Sequence, residues 1–337
     1  MLSSCKRFNR RQFLKLLAYL ACILGVEQEG LERLSQIFAG ASFRPRLIWL
    51  TGTGCGGCSL SFIGSQRADI IELLGRGVSL SWHPFLSQKS NEDIALKKIF
   101  EEETDFYLIV EGALAKEDRE FSGLVNRLAS RAQAVIAAGA CASSGGILAA
   151  GSGIYGGIEG PGFQGEPIRL STCPLHPEHL LAVLSYLLYY GRIPELDNSG
   201  RPVFLFGSSV HENCPRRGSY EEGRFLRDYN SKEEAGYCLL LKGCRGFEAK
   251  ADCALRHWND GQSWCIAANG GCQACSEANF LQRFEPLKKE GSAQIRVPGK
   301  AAAAAVGAVA GAAGTLAAKK VFEKSRPSLN REAEDSK

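Results

Sequence analysis

Apolar runs that alternate with helix-like stretches are the main pattern between residues 46 and 138. Short apolar runs predict strands at 46–50, 106–111 and 133–138, and the segments 91–102 and 119–131 predict helices between them. Strands that alternate with helices are typical of a parallel sheet with crossover helices. We therefore predict an α/β fold for the first half of the chain, with ligands beyond the carboxyl ends of the strands.

The second half of the chain has a different pattern. From about residue 200 it consists of short glycine-rich and cysteine-rich stretches with few periodic segments. A large apolar core is not expected there, so inorganic cross-links would have to stabilise it. The loop-type residues 198–202 predict a boundary between a domain at 42–200 and a loop-rich domain at 201–285.

The N-terminus has the pattern of an export signal. Asn9-Arg10-Arg11-Gln12-Phe13-Leu14-Lys15 is followed by an apolar stretch at 16–26 and by small residues at 39–41. This pattern resembles a twin-arginine signal, which we predict at 1–41, with an ordinary basic amphipathic helix as the alternative. Export would carry the protein to the periplasmic side of the cytoplasmic membrane.

The other end of the chain carries a candidate membrane anchor. After a linker at 286–300, residues 301–318 are an uncharged run of mainly alanine, glycine and valine, and a polar tail follows at 319–337. As a helix this run would span about 27 Å. We predict a C-terminal transmembrane helix, with a flexible linker or a soluble helix as alternatives, because alanine and glycine make insertion marginal.

Charge and cysteine content narrow the function. The 337 residues include 40 basic and 36 acidic side chains, a balance that gives no reason to expect a nucleic-acid partner. Thirteen cysteines, in contrast, are far more than packing requires. Cys5 and Cys22 would leave with the export signal. Eleven remain: Cys55, Cys58, Cys141, Cys173, Cys214, Cys238, Cys244, Cys253, Cys265, Cys272 and Cys275.

The number eleven favours iron-sulfur clusters over disulfides. Disulfides would leave one thiol unpaired, whereas His211, three residues before Cys214, completes twelve ligands, or three sets of four. A twin-arginine signal also favours cofactors bound before export over disulfides formed after it. Structural zinc stays an alternative, because two of the pairs have the Cys-x2-Cys spacing.

These motifs resemble the small subunit of nickel-iron hydrogenases over residues 46–284. The blocks that carry the resemblance are Trp49 to Cys58, Gly139 to Gly146, Cys173 to Pro177, His211 to Arg217, Cys238 to Cys244, and Trp258 to Cys275. The resemblance implies a flavodoxin-like N-terminal domain, an iron-sulfur C-terminal domain, and a hydrogenase whose hydrogen-activating site lies on a large subunit. This chain would supply no catalytic residue and would pass electrons to a membrane cytochrome b or an iron-sulfur, quinone-reducing subunit, in hydrogen oxidation or reversible evolution.

The resemblance also implies which residues hold each cluster. The ligands of a proximal 4Fe-4S cluster would be Cys55, Cys58, Cys141 and Cys173. The ligands of a distal 4Fe-4S cluster would be His211, Cys214, Cys238 and Cys244. The ligands of a medial cluster would be Cys253, Cys265, Cys272 and Cys275.

Departures from the family pattern refine this expectation. Many members have proline where Cys265 stands, which leaves a three-iron cluster, so the thiol predicts a four-iron one; the alternative is a buried free thiol beside Trp264. Oxygen-tolerant relatives have extra cysteines at the positions of Gly57 and Gly146, so we expect a standard proximal cluster and an oxygen-sensitive enzyme. Gly54 and Leu60 replace common glutamates, and the proton-handling role of those acids does not transfer.

Two other functions compete with this one. A stand-alone ferredoxin-like carrier would not need an export signal, a membrane tail or a large α/β domain. The quinone-reducing subunit of respiratory complex I shares the proximal site but lacks the cysteine-rich stretch at 211–275.

Overall fold

The computed structural model describes residues 10–39, 44–65, 75–87, 105–152, 154–158 and 166–278. Its strands are β1 (Arg46–Thr51), β2 (Ser79–Trp82), β3 (Phe106–Glu111), β4 (Leu114–Ala115), β5 (Ala134–Ala138), β6 (Tyr155–Gly156) and β7 (Ile168–Leu170). Five of them form a parallel sheet in the order β2-β1-β3-β5-β7, and β4 pairs with β6 in a small antiparallel ribbon. This is the flavodoxin-like order, whose direction of winding reverses between β1 and β3. The predicted α/β class is therefore confirmed.

Two helices precede the first strand, and the others lie between and after the strands. They are α1 (Arg10–Leu24), α2 (Gln28–Phe38), α3 (Gly57–Ile63), α4 (Arg119–Ala129), α5 (Gly139–Ser144), α6 (Gly146–Ser152), α7 (Pro177–Tyr190), α8 (Val203–Phe206), α9 (Arg217–Glu221) and α10 (Cys253–Arg256). The predicted helix at 119–131 is α4, which begins where the Asp118 carboxylate accepts a bond from the Phe121 N–H, 2.9 Å away. The predicted helix at 91–102 lies outside the described residues.

Alternate residues of each strand face opposite layers of the core. On β1, Leu47 and Trp49 belong to the cluster that contains α7, whereas Ile48 and Leu50 belong to the cluster that contains α4. Apolar side chains on both faces are what a parallel sheet covered by helices requires. This double burial explains why the sequence shows apolar runs here instead of a strict alternation.

The register of the sheet aligns the carboxyl ends of its strands. Thr51 lies opposite Glu111, Glu111 opposite Ala138, and Ala138 opposite Leu170. The loops that follow these four strands therefore leave the sheet side by side, and three of them, those after β1, β5 and β7, carry predicted cluster ligands.

Helices α1 and α2 pack on α7. Leu17, Leu20, Leu34 and Phe38 are buried in the same apolar cluster as α7, and the Tyr190 hydroxyl donates to the Leu24 carbonyl, 3.1 Å away. Residues 10–24 are thus helical, which fits both the predicted export signal and its alternative, an ordinary basic amphipathic helix. The predicted removal of residues 1–41 is untested by this packing and stays a prediction.

The second half contains few regular elements. Beyond residue 200 the described chain has three short α-helices, one 3-10 turn at Leu240–Lys242, and isolated bridges. Buried Arg201 ties the predicted boundary loop to the end of this half, because its guanidinium pairs with Asp197 and with Glu277, both at 2.8 Å. The predicted boundary near 200 stays a prediction.

Over the ranges described above, no helix is long and apolar enough to cross a membrane. The candidate anchor at 301–318 lies outside those ranges.

Candidate metal centres

The first predicted ligand pair lies on the loop between β1 and α3. Gly56 adopts a positive φ of 70° and precedes the first residue of α3, so the chain turns sharply between Cys55 and Cys58. Cys55 is exposed and Cys58 is buried. The Cys58 Sγ accepts a bond from the Leu175 N–H, 3.3 Å away, which joins this loop to the one that follows β7.

Glu111, the last residue of β3, holds this loop through hydrogen bonds to its carboxylate. Its buried carboxylate accepts bonds from the N–H groups of Cys58 (3.0 Å) and Ser59 (3.1 Å), from the Ser59 hydroxyl, and from the Trp49 indole (3.0 Å). Glu111 was not among the site residues predicted from the sequence. The available signal was an acid at the carboxyl end of an otherwise apolar strand, where such sheets build their sites.

Cys141 and Cys173 reach the same place from the next two strands. Cys141 lies on α5 directly after β5, and Cys173 follows β7 and precedes a cis peptide bond to Pro174. Burial raises the pKa of Cys173 to about 11, with Cys275, Cys141 and Cys55 contributing to the rise. Burial likewise raises the pKa of Cys141, with Cys55 adding to it. The four proximal candidates therefore lie together.

Glycines surround these sulfurs. A Cβ at Gly139 would lie 2.4 Å from the Cys58 Sγ, one at Gly146 would lie 2.7 Å from the Cys141 Sγ, and one at Gly57 would lie 3.0 Å from the Cys55 Sγ. A side chain at any of these positions would compete with the thiol for space. Gly57 and Gly146 thus lie at the proximal sulfurs, where the resemblance implied that they should.

The distal candidates line one cavity. His211, Cys214, Cys238 and Cys244 all border it, together with Gly246 and Phe247 among others. A turn brings the first two together, because the Cys214 N–H donates to the His211 carbonyl, 3.1 Å away. Burial, and then Arg217, lower the pKa of His211, so the neutral imidazole that a metal needs is favoured.

The medial candidates lie between the other two groups. Burial raises the pKa of Cys253 to about 12, with Cys275 and then Cys265 among the thiols that contribute to the rise. Burial also raises the pKa of Cys272, with Cys244, Cys275 and Cys253 adding to it. Cys265 is exposed, so the alternative of a buried thiol at this position is wrong.

Contacts between the groups place them in series. The Cys272 N–H donates to the Cys244 Sγ, 3.3 Å away, and a Cβ at Gly271 would lie 2.9 Å from the Cys244 N, so the medial and distal loops touch. Cys173 and Cys275 are close enough for one thiolate to raise the pKa of the other thiol. The three groups of candidate ligands therefore lie in series, with the medial candidates in the middle.

The donor set fits iron-sulfur chemistry. The twelve cysteines of the described residues are all free thiols. Eleven thiols and one imidazole are soft donors of the kind that clusters need, and glycines leave room at the sulfurs. Within the described ranges, no group of three or more His, Cys, Asp or Glu residues is arranged to hold a metal ion. The assignment of each ligand stays a prediction.

The remaining histidines are structural. The His83 Nδ1 accepts from the Phe85 N–H, and the His179 Nε2 bonds to Asp252, 2.7 Å away. The His176 Nδ1 accepts from the Glu178 N–H at the start of α7, and its Nε2 bonds to the His257 carbonyl, 2.7 Å away. That none of the four is a metal ligand stays a prediction.

Comparison with known proteins matches both halves of the chain. Residues 206–288 match the family that describes the C-terminal part of the NiFe/NiFeSe hydrogenase small subunit, and residues 55–187 match the NADH ubiquinone oxidoreductase 20 Kd subunit family. The periplasmic NiFeSe hydrogenase small subunit of Desulfomicrobium baculatum is 31% identical over 83% of this chain and 98% of that relative. This chain belongs to the nickel-iron hydrogenase small-subunit family.

Other relatives agree with this membership. The hydrogenase-2 small chain of Escherichia coli K12 is 28% identical over 92% of this chain and 90% of that protein. A solved NiFeSe hydrogenase structure from Desulfomicrobium baculatum superimposes with a TM-score of 0.63 at 29% identity, over 73% of this chain and 99% of the other. The match at 206–288 also separates this hydrogenase small subunit from the complex I type, which resembles residues 55–187 alone.

Proposed function

We propose that this hydrogenase small subunit relays electrons through three iron-sulfur clusters, between the nickel-iron site of a large subunit and a membrane redox partner. The clusters would supply one-electron redox centres. The observation that carries the proposal is the arrangement of twelve soft donors in three groups that lie in series. Cys173 lies near Cys275 at one junction, and the Cys272 N–H donates to the Cys244 Sγ at the other.

We infer that the large subunit docks at the proximal end. Cys55 and Cys173 are exposed there. The side chains of Leu60, Phe85 and Ile147 are each more than half exposed, and each lies next to the proximal loops. Exposed apolar patches of this kind mark protein interfaces. A stand-alone carrier would leave this patch in water, so the docked arrangement is favoured over the ferredoxin-like alternative.

The other two groups have distinct roles in this proposal. His211, Cys214, Cys238 and Cys244 would hold the distal 4Fe-4S cluster, where a neutral imidazole reduces the negative charge of the site. Cys253, Cys265, Cys272 and Cys275 would hold a medial 4Fe-4S cluster. Cys265 lies close enough to Cys253, Cys244 and Cys275 to affect their pKa values, although its own thiol is exposed.

Iron analysis and low-temperature paramagnetic resonance of the purified large and small subunit pair test this proposal. About twelve irons per pair beyond the nickel-iron site, with no three-iron signal, are expected. Changing Cys265 to proline should create a three-iron signal and lower the count by about one. The exposed neighbour Ala267, changed to serine, is the matched control and should change neither. A three-iron signal in the unaltered pair would exclude the medial assignment, and zinc in place of iron would exclude the clusters altogether.

We also propose export by the twin-arginine route and a position on the periplasmic side of the membrane. Support comes from the pattern at 9–15 and from relatives in Desulfomicrobium baculatum and Nitratidesulfovibrio vulgaris that are named periplasmic. The uncharged run at 301–318 supports an anchor and hence a membrane partner. Cell fractionation with mass spectrometry of both ends tests these points. Cytoplasmic recovery would contradict export, and release from membranes without detergent would contradict the anchor.

A further inference from the structure

Two aromatic rings pack against the imidazole of His211. The Phe247 ring stacks on it with centroids 3.7 Å apart and planes 25° from parallel. The Tyr220 ring meets it edge-on at 4.8 Å and also contacts Phe247 at 5.0 Å. The three rings form a closed triangle, which we call the aromatic clamp (His211, Tyr220, Phe247).

Backbone pairing holds the members of the clamp together. The segment that ends at His211 runs antiparallel to the segment 246–250: the Val210 N–H donates to the Ala249 carbonyl at 2.8 Å, and the His211 N–H donates to the Gly246 carbonyl at 3.0 Å. Phe247 therefore emerges directly beside the imidazole. Tyr220, on α9, packs against the rims of both stacked rings. The clamp is thus built on three separate pieces of backbone.

Packing into a core does not explain Phe247, because its side chain is 43% exposed. The ring covers His211 and borders the same cavity as Cys214 and Cys238. Rotation of an imidazole about its last side-chain bond is soft and roughly two-fold, so backbone placement alone does not decide which ring nitrogen faces this cavity. The Phe247 ring stacked on one face and the Tyr220 ring packed against the rim of this pair restrict that rotation.

We propose that Phe247, supported by Tyr220, is a positioning residue that holds the His211 ring with one nitrogen toward the distal cluster site and shields that site from water. This inference rests on the proposed function, since it takes His211 as a ligand. A ligand held in one orientation binds with less loss of entropy, and a shielded site has a lower local dielectric. Phe247 would thereby affect both the redox potential of the distal site and its retention of iron.

The size of the effect follows from the strength of the stack. Removing one aromatic contact should weaken the preference for the bound ring orientation roughly three-fold to ten-fold. We expect iron release to a chelator to accelerate by a similar factor. If the ring contact favours one redox state by the same factor, a ten-fold change corresponds to about 59 mV for a one-electron couple. The shift should be upward, because water admitted to the site favours the more highly charged reduced state.

The test uses the intact large and small subunit pair with Phe247→Leu, which keeps apolar bulk but removes the ring. Phe247→Tyr keeps the ring and should restore wild-type behaviour. Tyr229→Leu is the matched control, because Tyr229 is 54% exposed in the same half of the chain and lies outside the aromatic clamp, with its ring under the Lys242 ammonium. The measurements are a redox titration followed by paramagnetic resonance, the hyperfine coupling to the histidine nitrogen, and the rate of iron release.

We expect Phe247→Leu to broaden the nitrogen coupling, shift the distal potential upward and release iron faster, with Phe247→Tyr and Tyr229→Leu unchanged. Loss of distal iron from Phe247→Leu alone would also support the proposal. Wild-type coupling, potential and release in Phe247→Leu would overturn it, as would equal changes in Tyr229→Leu. Absence of nitrogen coupling in the unaltered pair would instead remove His211 as a ligand, and so contradict the proposed function.

Discussion

Replacing Glu111 by glutamine tests whether its carboxylate holds the first cysteine loop in place. The carboxylate is 2% exposed and accepts bonds from two backbone N–H groups, the Ser59 hydroxyl and the Trp49 indole. Glutamine has the same shape but only one acceptor oxygen. If that oxygen keeps the two N–H groups and the hydroxyl turns to accept from the new NH2, the indole N–H is left without an acceptor.

The free-energy cost of Glu111→Gln follows from the one buried N–H group that loses its acceptor. One unsatisfied buried donor costs about 1–3 kcal/mol. Loss of charge assistance weakens the remaining bonds, whereas removal of a buried charge offsets that loss. A net cost of about 1–3 kcal/mol corresponds to roughly 5- to 150-fold faster local opening. Hydrogen exchange of the amides of Cys58 and Ser59, followed by mass spectrometry, measures this directly.

The matched control for this prediction is Glu117→Gln, a change of the same chemistry at an exposed position on the loop before α4. It should leave exchange at residues 55–63 unchanged. Exchange at the wild-type rate in Glu111→Gln, or equal acceleration in both variants, would refute the role of the Glu111 carboxylate in holding the loop.

Arg201→Gln should lower the free energy of unfolding by about 3–5 kcal/mol, because it leaves two carboxylates without their buried cation, and the loss should be seen as a lower Tm. Arg217→Gln breaks an exposed ion pair and should lower the free energy of unfolding by under about 1 kcal/mol. Equal losses of stability in the two variants would contradict the idea that burial makes the Arg201 ion pairs stronger. Burial lowers the pKa of His176 from 6.5 to about 4, so the unfolded chain binds more protons between these values and stability should fall as the pH drops through them. Between these pH values the Tm of His176→Gln should fall less than the Tm of the wild type. Parallel profiles of Tm against pH would count against His176 as the group responsible. Gly139→Ala should lower both iron content and Tm, because its Cβ would lie 2.4 Å from a cysteine sulfur at a φ of 85°. Gly123→Ala, in a helix with room for the methyl group, should stabilise the protein by about 1 kcal/mol. Loss of iron from Gly123→Ala would show that the loss expected for Gly139→Ala does not depend on its place beside a sulfur.

Local pattern was enough to locate much of the N-terminal fold. The strands β1, β3 and β5 and the helix α4 were predicted within two residues of their observed ends, because continuous apolar runs and an amphipathic helix carry their own signal. Strands β2 and β7 were missed. They have only four and three residues, and pairing with a neighbour, not local preference, makes them strands.

The sequence by itself determined the chemistry of this protein: eleven thiols, one histidine, their short spacings, and the glycines beside them. These are properties of residue type and local spacing, which survive without knowledge of the fold. Only the tertiary structure decided what lies beside each donor. Glu111 is 53 residues from Cys58 and Phe247 is 36 residues from His211, and sheet register and loop pairing bring these pairs together. Such contacts depend on packing between distant segments, for which a single sequence carries no periodic signal.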